Sequence, residues 1–187
     1  MARLFCVALV IACCAGVAVG ATSYPPVTFD DLVTQADVIF VGEVVDARPF
    51  QLETRQGPVI KTRVIFRVSD PIWGTTGAVE VFDFLGGELN GVGMAVAEMP
   101  KFAIGDRRVV FARRDRSINP IVGFTQGLLQ VTRDTRGLDR VLTLDGAPLA
   151  GPESIGRTQG TVLPAAAMPL SDFVGRVERG LLEAGRR

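Results

Sequence analysis

The chain contains no histidine in its 187 residues. This absence excludes the Ser-His-Asp triad, the Cys-His pair and every metal site with a histidine ligand. The only lysines are Lys61 and Lys101, and neither follows a serine at the Ser-x-x-Lys spacing of a serine nucleophile. No dense Asp-x-Asp run is present for calcium. We therefore expect no catalytic residue, no metal and no cofactor.

Carboxylates are the acid–base groups that remain. Asp83 with Glu88 is the pair that we consider as a general acid and base. Ordinary surface charge explains such a pair equally well. A carboxylate-only hydrolase is therefore kept as the second alternative function, behind two noncatalytic ones.

The first twenty residues predict an export signal. Arg3 is their only charge, and the stretch from Leu4 to Val19 has neither a charge nor a proline. It ends with small residues, Ala18 and Gly20, at the two positions that a signal peptidase reads. We expect cleavage between Gly20 and Ala21, and a secreted or periplasmic protein.

Two other interpretations of this segment remain open. A transmembrane anchor is disfavoured because the stretch is short and rich in Ala, Gly and Cys. A lipoprotein signal would place lipid on Cys13, but the apolar segment before that residue is very short. Cleavage after Gly20 would remove all the cysteines and leave one more acidic than basic residue. This balance gives no indication of nucleic acid, and we expect no membrane span after cleavage.

The longest dense apolar run outside the N-terminus is Ala36 to Asp46, which is rich in β-branched residues. It predicts a first strand, Val38 to Asp46, that is central or covered on both faces. Before it, Thr28 is placed as the N-cap of a short helix, Phe29 to Gln35. Turn signals separate the other predicted strands, which are Ile60–Val68, Val79–Leu85, Arg107–Ala112, Gly127–Thr132 and Arg140–Leu144.

The connections carry the candidate binding residues. Arg48 to Pro58 is interpreted as a polar connection, Asp70-Pro71 as a turn, and Gly86 to Met94 as a flexible, glycine-rich loop. No P-loop lysine follows that loop. Five arginines surround the fourth strand and are interpreted as a charged edge that discourages aggregation, with an anion-binding patch as the alternative. They are Arg107, Arg108, Arg113, Arg114 and Arg116.

The C-terminal part changes composition. Residues 147–169 are rich in Ala, Gly and Pro and predict a linker or a long surface loop. A final helix over 170–187, capped by Ser171, carries an apolar stripe that we expect to pack on the domain rather than to bind a partner. The predicted organisation is a signal over 1–20, a β-domain with its helix over 21–146, this loop, and the last helix.

Short strands with a helix at each end predict a mainly β fold, a small, partly open, OB-like antiparallel β-barrel. The run Ala36 to Val44, a second alternating strand and then Val79 to Val81 resemble the opening of the netrin-like OB-fold domain. Residues 102–112 resemble that family's glycine turn into a strand. This is the fold of tissue inhibitors of metalloproteinases, and secreted bacterial proteins of this layout are also similar.

The resemblance implies the fold more than the activity. Those inhibitors begin with a cysteine whose amine and carbonyl chelate the target's zinc, whereas here the expected first residue is Ala21 and no cysteine remains. We expect a noncatalytic binding module that contacts a secreted or envelope protein, with protease inhibition as the alternative. The candidate contacts lie in the loop after the third strand, next to Arg48–Pro58 at the same barrel end, and are Gly86, Gly87, Glu88, Asn90 and Met94.

Overall fold

The computed structural model describes residues 25–75, 77–156 and 167–186. The expected signal with its cysteines, residues 157–166 of the expected loop, and Arg187 lie outside the described residues. The described helices are α1 (Phe29–Gln35) and α2 (Leu170–Glu183), with a short 3₁₀ helix at Pro152–Ser154. The strands are β1 (Val38–Thr54), β2 (Gly57–Trp73), β3 (Val79–Leu85), β4 (Gly87–Leu89), β5 (Val92–Met94), β6 (Arg107–Ala112), β7 (Leu128–Arg133) and β8 (Asp139–Leu142).

Six strands form one antiparallel sheet in the order β3-β2-β1-β6-β7-β8, and β4 with β5 forms a separate hairpin. β1 lies in the middle of the sheet, and Val38 to Val41 are all buried, which confirms that the first strand is central. The mainly β, antiparallel architecture with a helix towards each end is also confirmed. In the described part of the chain no helix is long and apolar enough to cross a membrane.

β1 and β2 are much longer than the sequence pattern predicted, 17 residues each. They are joined at Arg55 and Gln56, where the Thr54 hydroxyl donates to the Gly57 carbonyl at 2.6 Å. The expectation that Arg48–Pro58 is a polar connection is therefore wrong. This outer part of the β1–β2 hairpin, residues 48–63, is hereafter the arm.

The positions of two prolines explain why the prediction made β1 and β2 too short. Pro49 lies in β1 beyond Glu43, where pairing with β6 ends, and Pro71 lies in β2 beyond Arg67, where pairing with β3 ends. A strand with a neighbour on one side only can accommodate proline, because the missing N–H is not needed on the free side. The predicted turn at Asp70-Pro71 is also wrong, because both residues lie within β2, where the side facing away from β1 has no neighbouring strand.

The sheet buries both of its faces. On one face the two helices cover Ile39, Val41 and Phe111, and on the other face phenylalanines cluster, with Phe40 and Phe66 rings 5.6 Å apart. The apolar alternation of β2 and β6 predicts that Phe66 and Phe111 both point into the barrel, and both side chains are fully buried. They belong to opposite faces, however, and do not share one barrel interior.

The C-terminal part packs on the sheet. Phe173, Val177 and Leu181 of α2 are buried against the helix-covered face, as expected from the apolar stripe. Leu149 and Ile155 are buried in the same cluster, so the described part of 147–169 is a packed loop and not a linker. α2 begins directly after Pro169, and Ser171 is therefore not its N-cap. At α1 the expected cap is confirmed, since Thr28 and Asp31 form a reciprocal capping box.

Candidate functional site

The expected flexible loop at Gly86–Met94 is an ordered hairpin, β4–β5. Its turn is Asn90-Gly91, with φ of +53° and +78°, and Leu89 pairs with Val92 across it. Positive φ at both central residues is typical of the two-residue type I′ turn, for which Asn-Gly is a preferred dipeptide. The expectation of a flexible loop is wrong, and this dipeptide was the signal in the sequence that would have corrected it.

The glycines at the start of the hairpin allow it to lie close to the arm. A Cβ on Gly86 would be 2.8 Å from the Met94 carbonyl oxygen, and one on Gly87 would be 2.6 Å from the Thr62 hydroxyl. Thr62 in turn donates to the Gly86 carbonyl at 2.8 Å. Since Gly87 also approaches Pro49, the structure brings together the two segments that the sequence singled out.

The five candidate contact residues fall into two groups. Gly86 and Gly87 serve the backbone geometry of the hairpin, and Gly86 is buried. Glu88 and Asn90 are exposed on the hairpin, whereas Met94 is half-buried. Met94 is therefore the candidate that faces a partly enclosed space, and Glu88 and Asn90 are candidates for contact at the hairpin surface.

That space is a cleft of about 450 Å³ between β4–β5 and the segment that follows it, hereafter the hairpin cleft. Thr62 and Lys101 contribute polar groups, and the remaining lining is backbone or apolar side chain. The lining residues are Thr62, Phe84, Leu85, Gly86, Gly87, Met94, Ala95, Val96, Met99, Pro100, Lys101 and Phe102. Its methionines can adapt to ligands of different shape.

A larger cleft of about 850 Å³ lies on the other side of residues 99–101. Met99, Pro100 and Lys101 line both clefts and so form the wall between them. The larger cleft continues to Gln126 and Asp145, and its lining mixes polar and apolar side chains.

The five arginines that surround β6 in sequence do not form one patch. Arg107 donates twice to Asp139 of β8, both bonds at 2.8 Å, and the buried Arg108 pairs with Asp106. The other three line a groove of about 340 Å³ beside β3, hereafter the basic groove. Its lining residues are Lys61, Arg63, Val81, Phe82, Asp83, Arg113, Arg114, Arg116 and Pro120.

Several carboxylates are ion-pair partners of arginines. Asp83 accepts two hydrogen bonds from Arg63, at 2.8 and 2.9 Å, which leaves it poorly placed to act with Glu88. A hydrogen bond from Arg113 lowers the pKa of Asp115, and one from Arg140 lowers the pKa of Asp134. A general acid needs a raised pKa, so these shifts work against that role. The described residues contain no group of three or more His, Cys, Asp or Glu that could hold a metal.

A scan against protein-family models, a search of curated proteins and a search of solved structures each found no match to this chain.

Proposed function

We propose that this protein is a secreted or periplasmic binding module whose partner inserts an apolar group into the hairpin cleft. One observation carries the proposal: a hairpin with a preset turn is held against the arm and walls a largely apolar cleft. A preformed cleft of this kind reduces the entropy that binding costs, because its walls do not have to be ordered by the ligand. The partner is a secreted or envelope protein.

An OB-type, partly open barrel is the fold that we propose for the sheet. Two contacts support it, because they link β3 and its neighbour β2 to the segment after β6. Leu85 N–H of β3 donates to the Ile118 carbonyl at 2.8 Å, and Lys61 Nζ of β2 donates to the Ser117 carbonyl at 2.7 Å. Phe82 and Phe84 of β3 also share a buried cluster with Val110 of β6. Barrels of this type bind ligands on one strand face and neighbouring loops.

A pull-down from the exoproteome of the native host tests the proposal. The mature protein is compared with Met94→Glu, which places a charge in the hairpin cleft, and with Leu138→Glu. Leu138 is 49% exposed in the β7–β8 turn and serves as the matched control. We expect a protein that the wild type and Leu138→Glu enrich equally and that Met94→Glu loses.

Circular dichroism of the three proteins, with thermal unfolding, shows whether Met94→Glu keeps its fold. Equal capture by all three folded proteins would contradict a role for the hairpin cleft. Captured metalloprotease whose activity falls on addition of the wild type would instead favour the inhibitor alternative.

A further inference from the structure

The free edge of β3 is the second surface that the structure offers to a partner. β3 pairs with β2 through Lys61–Arg67 and is one of the two edge strands of the described sheet. Gly86 N–H bonds the Ile60 carbonyl, whereas Leu85 N–H points the opposite way, to Ile118. Because backbone groups alternate along a strand, the N–H and C=O groups of Val79, Val81 and Asp83 also point away from β2.

These outward groups have no hydrogen-bond partner in the described part of the chain. The bond from Leu85 to Ile118 limits the free edge to Val79–Asp83, about 16 Å of strand. Val79 and Val81 are 50% and 46% exposed, so the edge is accessible. It is a template on which a short extended segment could form a ladder of main-chain hydrogen bonds.

The basic groove runs along this edge. Val81, Phe82 and Asp83 of β3 form one wall, and the segment from Arg113 to Pro120 after β6 forms the other. Phe82 and Pro120 are buried and give the groove an apolar base. The groove and the hairpin cleft share no lining residue.

The charge of the groove is positive. Five basic side chains and one acidic side chain line it. Arg63, Arg113 and Arg114 each pair with a carboxylate, on Asp83, Asp115 and Glu80 respectively. An arginine has more N–H donors than one carboxylate can use, so donors remain for a ligand. Arg116 is exposed and forms no hydrogen bond within the described residues.

We propose that the β3 edge and the basic groove bind an extended, acidic peptide segment of a partner protein as an additional strand. The main chain of the peptide pairs with Val79–Asp83. Its carboxylates contact the arginines after β6 together with Lys61 and Arg63. The small volume of the groove suits a single strand, and its charge selects acidic over basic sequences.

Fluorescence anisotropy with a fluorescein-labelled Glu-Val-Glu-Val-Glu-Val peptide tests the proposal. The full protein should bind this peptide, with affinity that falls as salt is raised. A Lys-Val peptide of the same length should not bind. A peptide N-methylated at alternate residues keeps the charge but loses main-chain donors, so it should bind at least about tenfold more weakly.

Protein variants locate the site. Arg116→Glu should weaken binding about tenfold, whereas Arg136→Glu, an exposed arginine in the β7–β8 turn, should change it less than about twofold. Val81→Pro removes an outward N–H and should weaken binding about tenfold, whereas Val81→Ala keeps the N–H and should bind as the wild type does. Met94→Glu should bind the acidic peptide as the wild type does. The proposal for the β3 edge and the proposal for the hairpin cleft can therefore fail independently.

Equal binding of the N-methylated peptide would overturn the proposal, because charge attraction alone would then explain the affinity. An unaffected Arg116→Glu, or no binding by the wild type at millimolar peptide, would also overturn it. So would dimerisation of the wild type that Val81→Pro abolishes, since a second copy would then occupy the edge. If Val81→Pro fails to fold, Arg116→Glu and the N-methylated peptide still test the proposal.

Discussion

Gly74, directly after β2, is a residue at which both the backbone and the space around it require glycine. Its φ is +67°, and a Cβ there would collide with the Asp37 carbonyl oxygen. Gly137, in the β7–β8 turn, has a similar φ of +78° but open space where a Cβ would lie. The two glycines share a left-handed conformation and differ in their surroundings. Alanine at each position therefore separates the cost of the left-handed backbone from the cost of the steric collision.

Gly137→Ala should lower the free energy of unfolding by about 1 kcal/mol, which is the cost of a left-handed alanine. Gly74→Ala should cost about 2–4 kcal/mol, because backbone at Asp37 must also move. Urea unfolding followed by circular dichroism measures both. Equal losses would show that the approach to Asp37 relaxes without cost.

Residue-scale features of the candidate site were only partly predictable. The residues Gly86, Glu88 and Met94 could be singled out because glycines and adaptable side chains were concentrated there. The surroundings of these residues could not be predicted. The approach of Gly87 to Thr62, and the wall at Met99 between the two clefts, depend on tertiary packing.

At the scale of elements, the C-terminal end of α1 is held by a residue that follows α2. Arg186 donates to the carbonyl of Val33, to that of Thr34 at 3.2 Å and to that of Ala36 at 2.7 Å. Its guanidinium also lies 4.8 Å from the ring centre of Trp73. The last turn of α1 has no basic residue of its own, so Arg186 satisfies carbonyls that a helix end leaves free.

Arg186→Ala should lower the free energy of unfolding by about 1–2 kcal/mol, because several charge-assisted hydrogen bonds are lost. Its tryptophan fluorescence should change as well, since Trp73 is the single tryptophan of the chain. Arg179→Ala, an exposed arginine of α2, is the matched control and should change neither quantity. Arg186→Lys should fall in between, because lysine keeps the charge but not the planar fork. Identical results for the two alanine variants would contradict a stabilising contact between Arg186 and the end of α1.

Elements with local signals were predicted well. The bounds of α1, β3 and β6 match the sequence pattern, because capping, alternation and nearby turns define them. The extent of β1 and β2 was not predictable, because it depends on where neighbouring strands stop. Pro49 and Pro71 look like breakers in the sequence, and only the pairing shows that each lies beyond the end of a neighbour.

For the whole molecule, ion pairs between strands make stability depend on pH. Arg107 of β6 reaches across β7 to Asp139 of β8, and Arg133 joins them at 3.3 Å. The hydrogen bonds from Arg107 hold the pKa of Asp139 below its ordinary value of 3.8. A carboxyl with a lowered folded-state pKa stabilises the fold above its unfolded pKa, and this contribution is lost as the pH falls through the folded-state pKa.

The free energy of unfolding should therefore decrease as the pH falls from about 5 towards 2. Asp139→Asn should cost about 1–2 kcal/mol near neutral pH and should make this decrease shallower, because one titrating group is gone. Urea unfolding at a series of pH values provides the measurement. Asp70→Asn is the control, because the Asp70 side chain is exposed and makes no hydrogen bond in the described ranges, and this variant should keep the wild-type stability near neutral pH. An unchanged profile for Asp139→Asn would assign the acid sensitivity to other carboxyls.

The central position of β1 has a consequence for a chain delivered from its amino end. β1 can pair with β2 as soon as both have emerged, but its other edge must wait for β6, and Ile39 and Val41 are covered only when α2 arrives. The contact from Arg186 to Val33 spans 153 residues and can form only after Arg186 has emerged. Such long-range closure is slow and leaves apolar strands exposed meanwhile. A nascent chain therefore keeps an apolar face of β1 accessible to other proteins until α2 has emerged.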